Sequence, residues 1–258
     1  MSIITITSDY GNSDPYLAVM KGRLMSQLEN INIVDISNEI DKFNIAEAAY
    51  ILKNSFSHFP KNTVHLVMVG VNNSDSDYLI VKHAEQFFVG LDNGLFSLVF
   101  ENLPILAYQL SLSVPPELAS FPEKSILVQA AAHLCRGGVP EVISEPIQGL
   151  APMMSYAPVL QGDTIRATVQ YIDSYGNLIT NLPKDLFYKH VMGRKVDIRF
   201  RIPHARVTKI NKRYSDVDPG DIVAFFNTGG FLEIAINSGK ASSLLGVRIN
   251  ETISLNFV

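Results

Sequence analysis

The sequence predicts an α/β N-terminal domain with a mainly parallel sheet, followed by a smaller, β-rich, barrel-like domain. Three observations carry that expectation. Apolar strand-like runs alternate with amphipathic helical runs through the first third of the chain, an order that builds parallel sheets. Helical periodicity nearly stops after the proline-rich stretch from Glu145 to Gly162. Short strand candidates separated by tight polar turns then follow. The expected domains are residues 1–150 and 163–258, joined by a linker at 151–162.

Ile3 to Thr7 are β-branched and apolar, the run of a strand buried on both faces. The run breaks at Ser8-Asp9-Tyr10-Gly11. Asp14-Pro15 then opens a helix, a capping residue followed by the imino acid favoured in a first turn. Asp9 therefore falls just past the carboxyl end of a central strand and beside a helix N-terminus, where open α/β sheets bind ligands. Asp9 and Asn12 equally suit the closing of a turn, and this stretch alone does not separate the two roles.

Leu17, Met20, Leu24 and Leu28 share one helical face. Ile31 to Ile36 reads as the next strand. Asn44 and Glu47 form a reciprocal capping pattern ahead of a helix marked by Ile45, Ala49, Leu52 and Phe56. Pro60 ends it, and Val64 to Val69 is a third buried strand. A polar loop, Gly70 to Asp77, comes next. The strand-like runs Tyr78–His83, Gln86–Leu91 and Ile105–Leu110 follow, with Asp92-Asn93-Gly94 read as a hairpin turn. Ser125 to Arg136 is apolar nearly all round, a buried helix stopped by Gly137-Gly138.

In the second domain the strand candidates are Thr164–Ile172, Lys195–Arg201, Ile222–Asn227, Phe231–Ile236 and Thr252–Phe257. Only Pro183 to His190 reads as helical. Asp173 to Asn177 and Asn227 to Gly230 are the polar hairpin turns.

Composition narrows the function. The chain has 258 residues, 47% hydrophobic and 18% charged, which predicts a packed soluble core. Net charge is −4 and no basic run of nucleic-acid type occurs. The N-terminus lacks the pattern of a signal peptide, and no apolar run is long enough to span a bilayer. A single cysteine, Cys135, allows no intrachain disulfide, so the expected compartment is the cytoplasm. Cys135 itself reads as a small buried hydrophobe. Phosphate-binding loops, paired zinc ligands and the serine elbow are all missing. The six histidines are scattered, and His65 reads as a satisfied core residue of a strand. What remains is a set of Asp, Asn and aromatic residues in turns. Such a set suits a polar ligand with hydroxyls for carboxylates and a flat ring for aromatics.

Several stretches, in order, carry a resemblance. They are ITSDYGNSDPYLAVMKGRL, NIVDISNEI, FNIAEAAYIL, FPKNTVHLVMV, FFVGLDNGLFSLV, AAAHLCRGG, YIDSYGNLITNL and FNTGGFLEIAIN. Together they resemble the S-adenosylmethionine (SAM) hydroxide adenosyltransferases, or adenosine-forming SAM hydrolases, with the related fluorinase and chlorinase. The resemblance implies water attack on the 5′ carbon of SAM, giving adenosine and methionine. It implies a homotrimer with SAM held between the first domain of one subunit and the second domain of its neighbour. It implies no cofactor, no nucleic acid and no membrane.

Residue by residue, Asp9 matches the aspartate that holds the ribose hydroxyls, and Phe43 falls near the aromatic wall. Asp173 matches a contact to the methionine end. Tyr175 and Asn177 match the aromatic and amide around the nucleoside. Thr228 lies in the loop that meets the amino-acid end, and Asn237 and Ser238 fall where backbone reads the adenine edge. The water-activating Asp-Arg-His set of the hydrolases is not matched: Gly70, the Asp77–Tyr78 region and Pro122 stand there. No halide pocket is identifiable. The carboxylates left in the two altered loops, Asp75, Asp77 and Glu123, are the candidate bases, and each also reads as an ordinary loop carboxylate. The resemblance thus leaves two functions open, a SAM hydrolase and a non-catalytic binder of SAM or adenosine.

Overall fold

The first strand, β1 (Ser2–Ser8), is buried from its third residue onward. α1 (Pro15–Gln27), β2 (Ile31–Ser37), α2 (Ile45–Lys53) and β3 (Val64–Met68) follow in the expected order. Then come β4 (Tyr78–His83), β5 (Gln86–Leu91), α3 (Leu95–Val99), β6 (Leu106–Leu110), α4 (Glu123–Cys135) and β7 (Ser144–Ile147). The computed structural model describes residues 2–70, 77–200, 202 and 205–258. Contacts divide the chain into two compact units, Met1–Met154 and Ser155–Val258.

The sheet of the first unit has seven strands in the order β2-β1-β3-β5-β4-β6-β7. It is mixed rather than mainly parallel. β1 runs parallel to β2 and β3, and β3 parallel to β5. The pairs β4–β5, β4–β6 and β6–β7 are antiparallel. The reason is local. Only Ala84 and Glu85 join β4 to β5, both at positive φ (48° and 61°). A two-residue turn of that hand can join only antiparallel strands. The Asp92-Asn93-Gly94 tripeptide is not a hairpin turn. Gly94, at φ +91°, is the residue before α3, and β6 pairs with β4 instead of β5.

Helices cover both faces. Ile4, Ile6, Leu66 and Ile80 pack on one side with Leu17, Met20 and Leu24 of α1 and the apolar residues of α4. Val67, Leu79, Val81 and Phe88 pack on the other with Ala48, Ala49 and Leu52 of α2 and Leu95, Phe96 and Val99 of α3. Each fully buried side chain of this size contributes roughly 1.5–3 kcal/mol. The carboxyl ends of β1 and β3 are thereby fixed on a rigid layer.

The second unit holds β8 (Val159–Gln161), β9 (Thr164–Ile172), β10 (Leu178–Pro183), α5 (Lys184–Val191), β11 (Val196–Arg199) and β12 (Arg206–Val207). β13 (Ile222–Phe226), β14 (Phe231–Ile236), α6 (Ala241–Leu245) and β15 (Thr252–Phe257) complete it. Its antiparallel order is β12-β11-β15-β9-β10-β14-β13, with β8 added on β9. The end strands β12 and β13 approach each other, so the sheet is a nearly closed barrel. Ile165, Val169, Leu178, Ile234 and Leu255 fill it, with Phe187 of α5 and Leu245 of α6 against them. Besides β8, three of its elements carried no sequence signal: β10, α6 and the two-residue β12. β10 is buried at five successive positions, so it lacks alternation, and α6 spans less than two turns. The proline-rich stretch from Glu145 to Gly162 is not wholly irregular either, since β7 and β8 lie in it. No helix among the described residues is long and apolar enough to cross a membrane.

His65 is a core residue, but only half satisfied. Its Nδ1 pairs with Thr5 Oγ1 at 2.7 Å, and its ring stacks on Phe88 at a centroid distance of 4.5 Å. Nε2 is buried without a partner. Burial pushes the imidazole pKa down to about 4. The unfolded chain therefore binds a proton that the folded one refuses, and stability falls as pH drops from about 6.5 to about 4. The loss amounts to roughly 3 kcal/mol across that window. In His65→Leu this part of the pH dependence should vanish, as read from urea unfolding at pH 7 and pH 4.

Candidate active site

Asp9 sits where three segments meet. Its backbone N–H bonds the carbonyl of Met68 at the end of β3 (3.2 Å). Its Oδ2 accepts the backbone N–H of Phe43 (2.9 Å) and of Gly70 (3.1 Å). Lys42 Nζ donates to its carbonyl. Asp9 is 5% exposed, so one carboxylate oxygen ties the end of β1 to the segment before α2 and the second residue after β3. Of the two roles read from the sequence, the structure shows the closing one: Oδ2 closes the junction. Asn12 donates to Glu39 across the same entry.

Phe43 is held in the left-handed region, at φ +63°, with its ring 56% exposed. That backbone state is costly for a side chain of this size. Its neighbours hold it there: Asn44 Oδ1 accepts from Glu47 N (3.2 Å), and Glu47 Oε2 accepts from Asp41 N (3.1 Å). Asn44 thus caps α2, but the return half of the expected box is missing: Glu47 reaches Asp41 N and Asn44 Nδ2, and the Asn44 N–H goes to Asp41 O.

The candidate bases separate. Asp75 lies outside the described residues. Asp77 is exposed, and its carbonyl accepts the N–H of Asp92 (2.8 Å). Glu123, the first residue of α4, is 1% exposed and accepts a hydrogen bond from the Tyr78 hydroxyl. Burial raises its carboxyl above the ordinary carboxylate range. Tyr10, Tyr16 and Phe121 form a tilted and edge-to-face aromatic group with centroids 5.6–6.0 Å apart. Asn93 is committed to the fold, donating to the carbonyl of Val69 (2.9 Å) and accepting from Leu95 N (3.2 Å).

The second unit brings its own set together. The Asp173–Asn177 hairpin turn joins β9 to β10, as expected. Asp173 Oδ1 accepts from Tyr175 N (3.0 Å) and Asn177 N (2.8 Å), and Oδ2 from Asn177 Nδ2 (2.9 Å). Tyr175 is left 76% exposed. Gly176, at φ +81°, accepts at its carbonyl from Ser242 N (2.8 Å). A side chain there would lie 3.0 Å from Lys240 Cβ and Ser242 Oγ. The turn thus rests on the segment that carries Asn237 and Ser238. Asn237 is spent within the unit: its N–H bonds Asp221 O (3.0 Å) and its Nδ2 bonds Val217 O (2.8 Å). Ser238 is exposed with φ +61°. Thr228 tops the exposed β13–β14 turn. Beside it Asn227 Nδ2 reaches Glu233 Oε2 (3.2 Å), and the Tyr214 hydroxyl reaches Oε1 (2.5 Å). Glu233 is buried, and burial raises its carboxyl. Neither this pair nor Tyr78–Glu123 was legible in the sequence, because long-range side-chain pairing leaves no periodic trace. Among the described residues, no three His, Cys, Asp or Glu side chains are grouped to hold a metal ion.

Comparison with known proteins places this arrangement. The model of the SAM hydroxide adenosyltransferase N-terminal domain matches residues 4–144, and that of the C-terminal domain residues 167–254. The chain belongs to the SAM hydroxide adenosyltransferase family. It is 28% identical over 268 residues to the (R)-S-adenosyl-L-methionine hydrolase of Methanocaldococcus jannaschii, covering 99% of this chain and 96% of that one. It is 28% identical over 263 residues to the enzyme of the same name from Thermus thermophilus, covering 96% and 97%. An uncharacterised conserved protein of Thermotoga maritima superposes with a TM-score of 0.86 at 27% identity, over 98% of this chain and 99% of that one. In this chain the matched N-terminal domain ends in β7 and the matched C-terminal domain begins within β9.

Asp173 accepts three hydrogen bonds inside its own turn, so its removal unlatches that turn. Asp173→Ala should destabilise the protein by about 1–3 kcal/mol, while Asp173→Asn should cost less. Thermal melts of both variants against the parent check this.

Proposed function

We propose that this SAM hydroxide adenosyltransferase hydrolyses S-adenosylmethionine to adenosine and methionine. The observation that carries the reading is the family match through both domains, alongside near full-length similarity to proteins named for that hydrolysis. Water attacks the 5′ carbon in line, the carbon–sulfur bond breaks, and the electron pair neutralises the sulfonium. The leaving group is already good, so the protein must align, desolvate and accept one proton.

Asp9 takes the ribose hydroxyls. Its support is the fixed orientation that two backbone amides give the carboxylate, with Oδ1 as the second acceptor. Phe43 supplies an aromatic wall, and its exposed ring in a held backbone state supports that role. Asp173 serves the methionine ammonium and Thr228 the amino-acid end. Tyr175, Asn177, Asn237 and Ser238 serve the nucleoside. For Asn237 the N–H, the Nδ2 group and the carbonyl, which accepts from Gly220 N (2.7 Å), all bond within the unit, so only a second lone pair of that carbonyl is left to read a ligand. The base is a carboxylate of Asp75, Asp77 or Glu123, and the burial of Glu123 favours it. The enzyme works without a cofactor as a cytoplasmic homotrimer, independent of nucleic acid and membrane. Division of the binding residues between two units supports an assembly with shared sites. The unmatched Asp-Arg-His set favours a second reading, a binder of SAM or adenosine that does not turn over.

Incubation with SAM decides between them. Adenosine release above the background breakdown of SAM is the expected result, and tight binding without release would establish the binder. Asp9→Ala should weaken adenosine binding by roughly 2–5 kcal/mol, as measured by calorimetry. Unchanged affinity removes Asp9 from the ribose site. Light scattering should give a trimer, and a stable monomer that still binds adenosine would refute the shared site.

A further inference from the structure

Glu123 is unusual among the carboxylates of the first unit. It is 1% exposed, and its side-chain partner comes from another element, the hydroxyl of Tyr78 at the start of β4. A carboxylate sealed in this way is not a requirement of the fold. An apolar side chain of similar volume stabilises such a position as well or better. Buried ionisable groups of this kind concentrate at sites of chemistry. Tyr78 is only partly buried, and its hydroxyl is the group that donates to Glu123.

The position matters as much as the pair. Tyr10 follows Asp9 directly, and its hydroxyl is buried without a partner. It lies within electrostatic reach of Glu123, Asp9 and Tyr78. A buried hydroxyl left unpaired costs about 1–3 kcal/mol, a cost recovered when a polar molecule enters beside it. The aromatic group of Tyr10, Tyr16 and Phe121 walls the same place. The two chain segments that lack the hydrolase residues, around Tyr78 and Pro122, are thus the two that the fold joins through Tyr78 and Glu123.

We propose that Tyr78 and Glu123 form a two-member proton relay for the attacking water, with Tyr10 orienting that water. This rests on the hydrolase reading above. As the water oxygen bonds the 5′ carbon, the carbon–sulfur bond breaks and its electron pair stays on sulfur as the methionine thioether. The water proton passes to the Tyr78 oxygen while the Tyr78 proton passes to a Glu123 carboxylate oxygen. After product release Glu123 returns its proton through Tyr78 to solvent. The sum is SAM cation plus water giving adenosine, methionine and one proton.

The relay works with Glu123 ionised. Burial raises its pKa, and burial also lifts the Tyr10 and Tyr78 phenols well above their ordinary values. The titratable groups facing Glu123 are Tyr78 from β4 and Tyr10 from the segment after β1. Lys124 is its neighbour on α4, with Nζ over the Phe121 ring at 5.2 Å. The phenols stay neutral across the working range, so the rise of rate with pH reports Glu123.

The test compares Tyr78→Phe, Glu123→Gln and the double variant with the parent, reading adenosine release across pH and adenosine affinity by calorimetry. Each single variant should lose roughly 10²–10⁴-fold in turnover, with adenosine affinity within about twofold. The double variant should lose no more than the worse single, because the two act as one unit. The rise of rate with pH should disappear in Glu123→Gln. Should a variant fail to fold, solvent isotope effects on the parent serve instead: two protons in flight give a curved proton inventory. Parental turnover in both singles, multiplicative losses in the double, or a linear inventory overturns the relay and leaves the hydrolase reading standing. If the parent releases no adenosine above background, the hydrolase reading fails and the relay falls with it.

Discussion

One carboxylate oxygen organises the first unit. Asp9 Oδ2 gathers the amides of Phe43 and Gly70, which arrive from the segment before α2 and from the end of β3. Those amides belong to chain that has just left regular structure, so neither has a ladder partner to turn to. A charged acceptor binds each more strongly than a neutral one would. The consequence is that the ribose-binding candidate and the junction of three segments are one residue. Its geometry is then set by the sheet rather than by a loop of its own, which is the condition for holding a ligand in a fixed pose.

Much of the fold was legible in the sequence because it rests on local rules. Asp14-Pro15 opens α1, the Asn44–Glu47 cap opens α2, and Gly137-Gly138 closes α4. The polar turns Asp173–Asn177 and Asn227–Gly230 are hairpin turns as read. What failed was non-local. Strand direction in the sheet depends on which strand β6 joins, and Ala84-Glu85 lacks the glycine that usually announces its turn. Asp92-Asn93-Gly94 has the composition of a hairpin turn, yet its glycine instead takes the positive φ that starts α3.

The site divides in the same way. Asp9 was singled out by its place at a strand end, whereas the turn of Asp173 read as an ordinary hairpin and only the resemblance made Asp173 a candidate. The pairing of Tyr78 with Glu123 spans 45 positions, and no pattern of period 2 or 3.6 can report such a contact. The second unit repeats the motif, with Tyr214 on Glu233. In both units a buried carboxyl is covered by a phenol and lifted by burial; in the second unit Asp173 lies within electrostatic reach of that carboxyl, and in the first Asp9 lies within reach of Tyr10. Each half of the chain therefore spends stability on a polar pair.

Phe43 shows where that spending meets evolution. A left-handed backbone with an exposed ring is a position that Gly or Asn would occupy at lower free energy. Selection for heat resistance alone would discard the phenylalanine early; under its proposed role as an aromatic wall, selection for ligand binding would restore it. The residue at this position therefore records which of the two pressures a lineage has lived under.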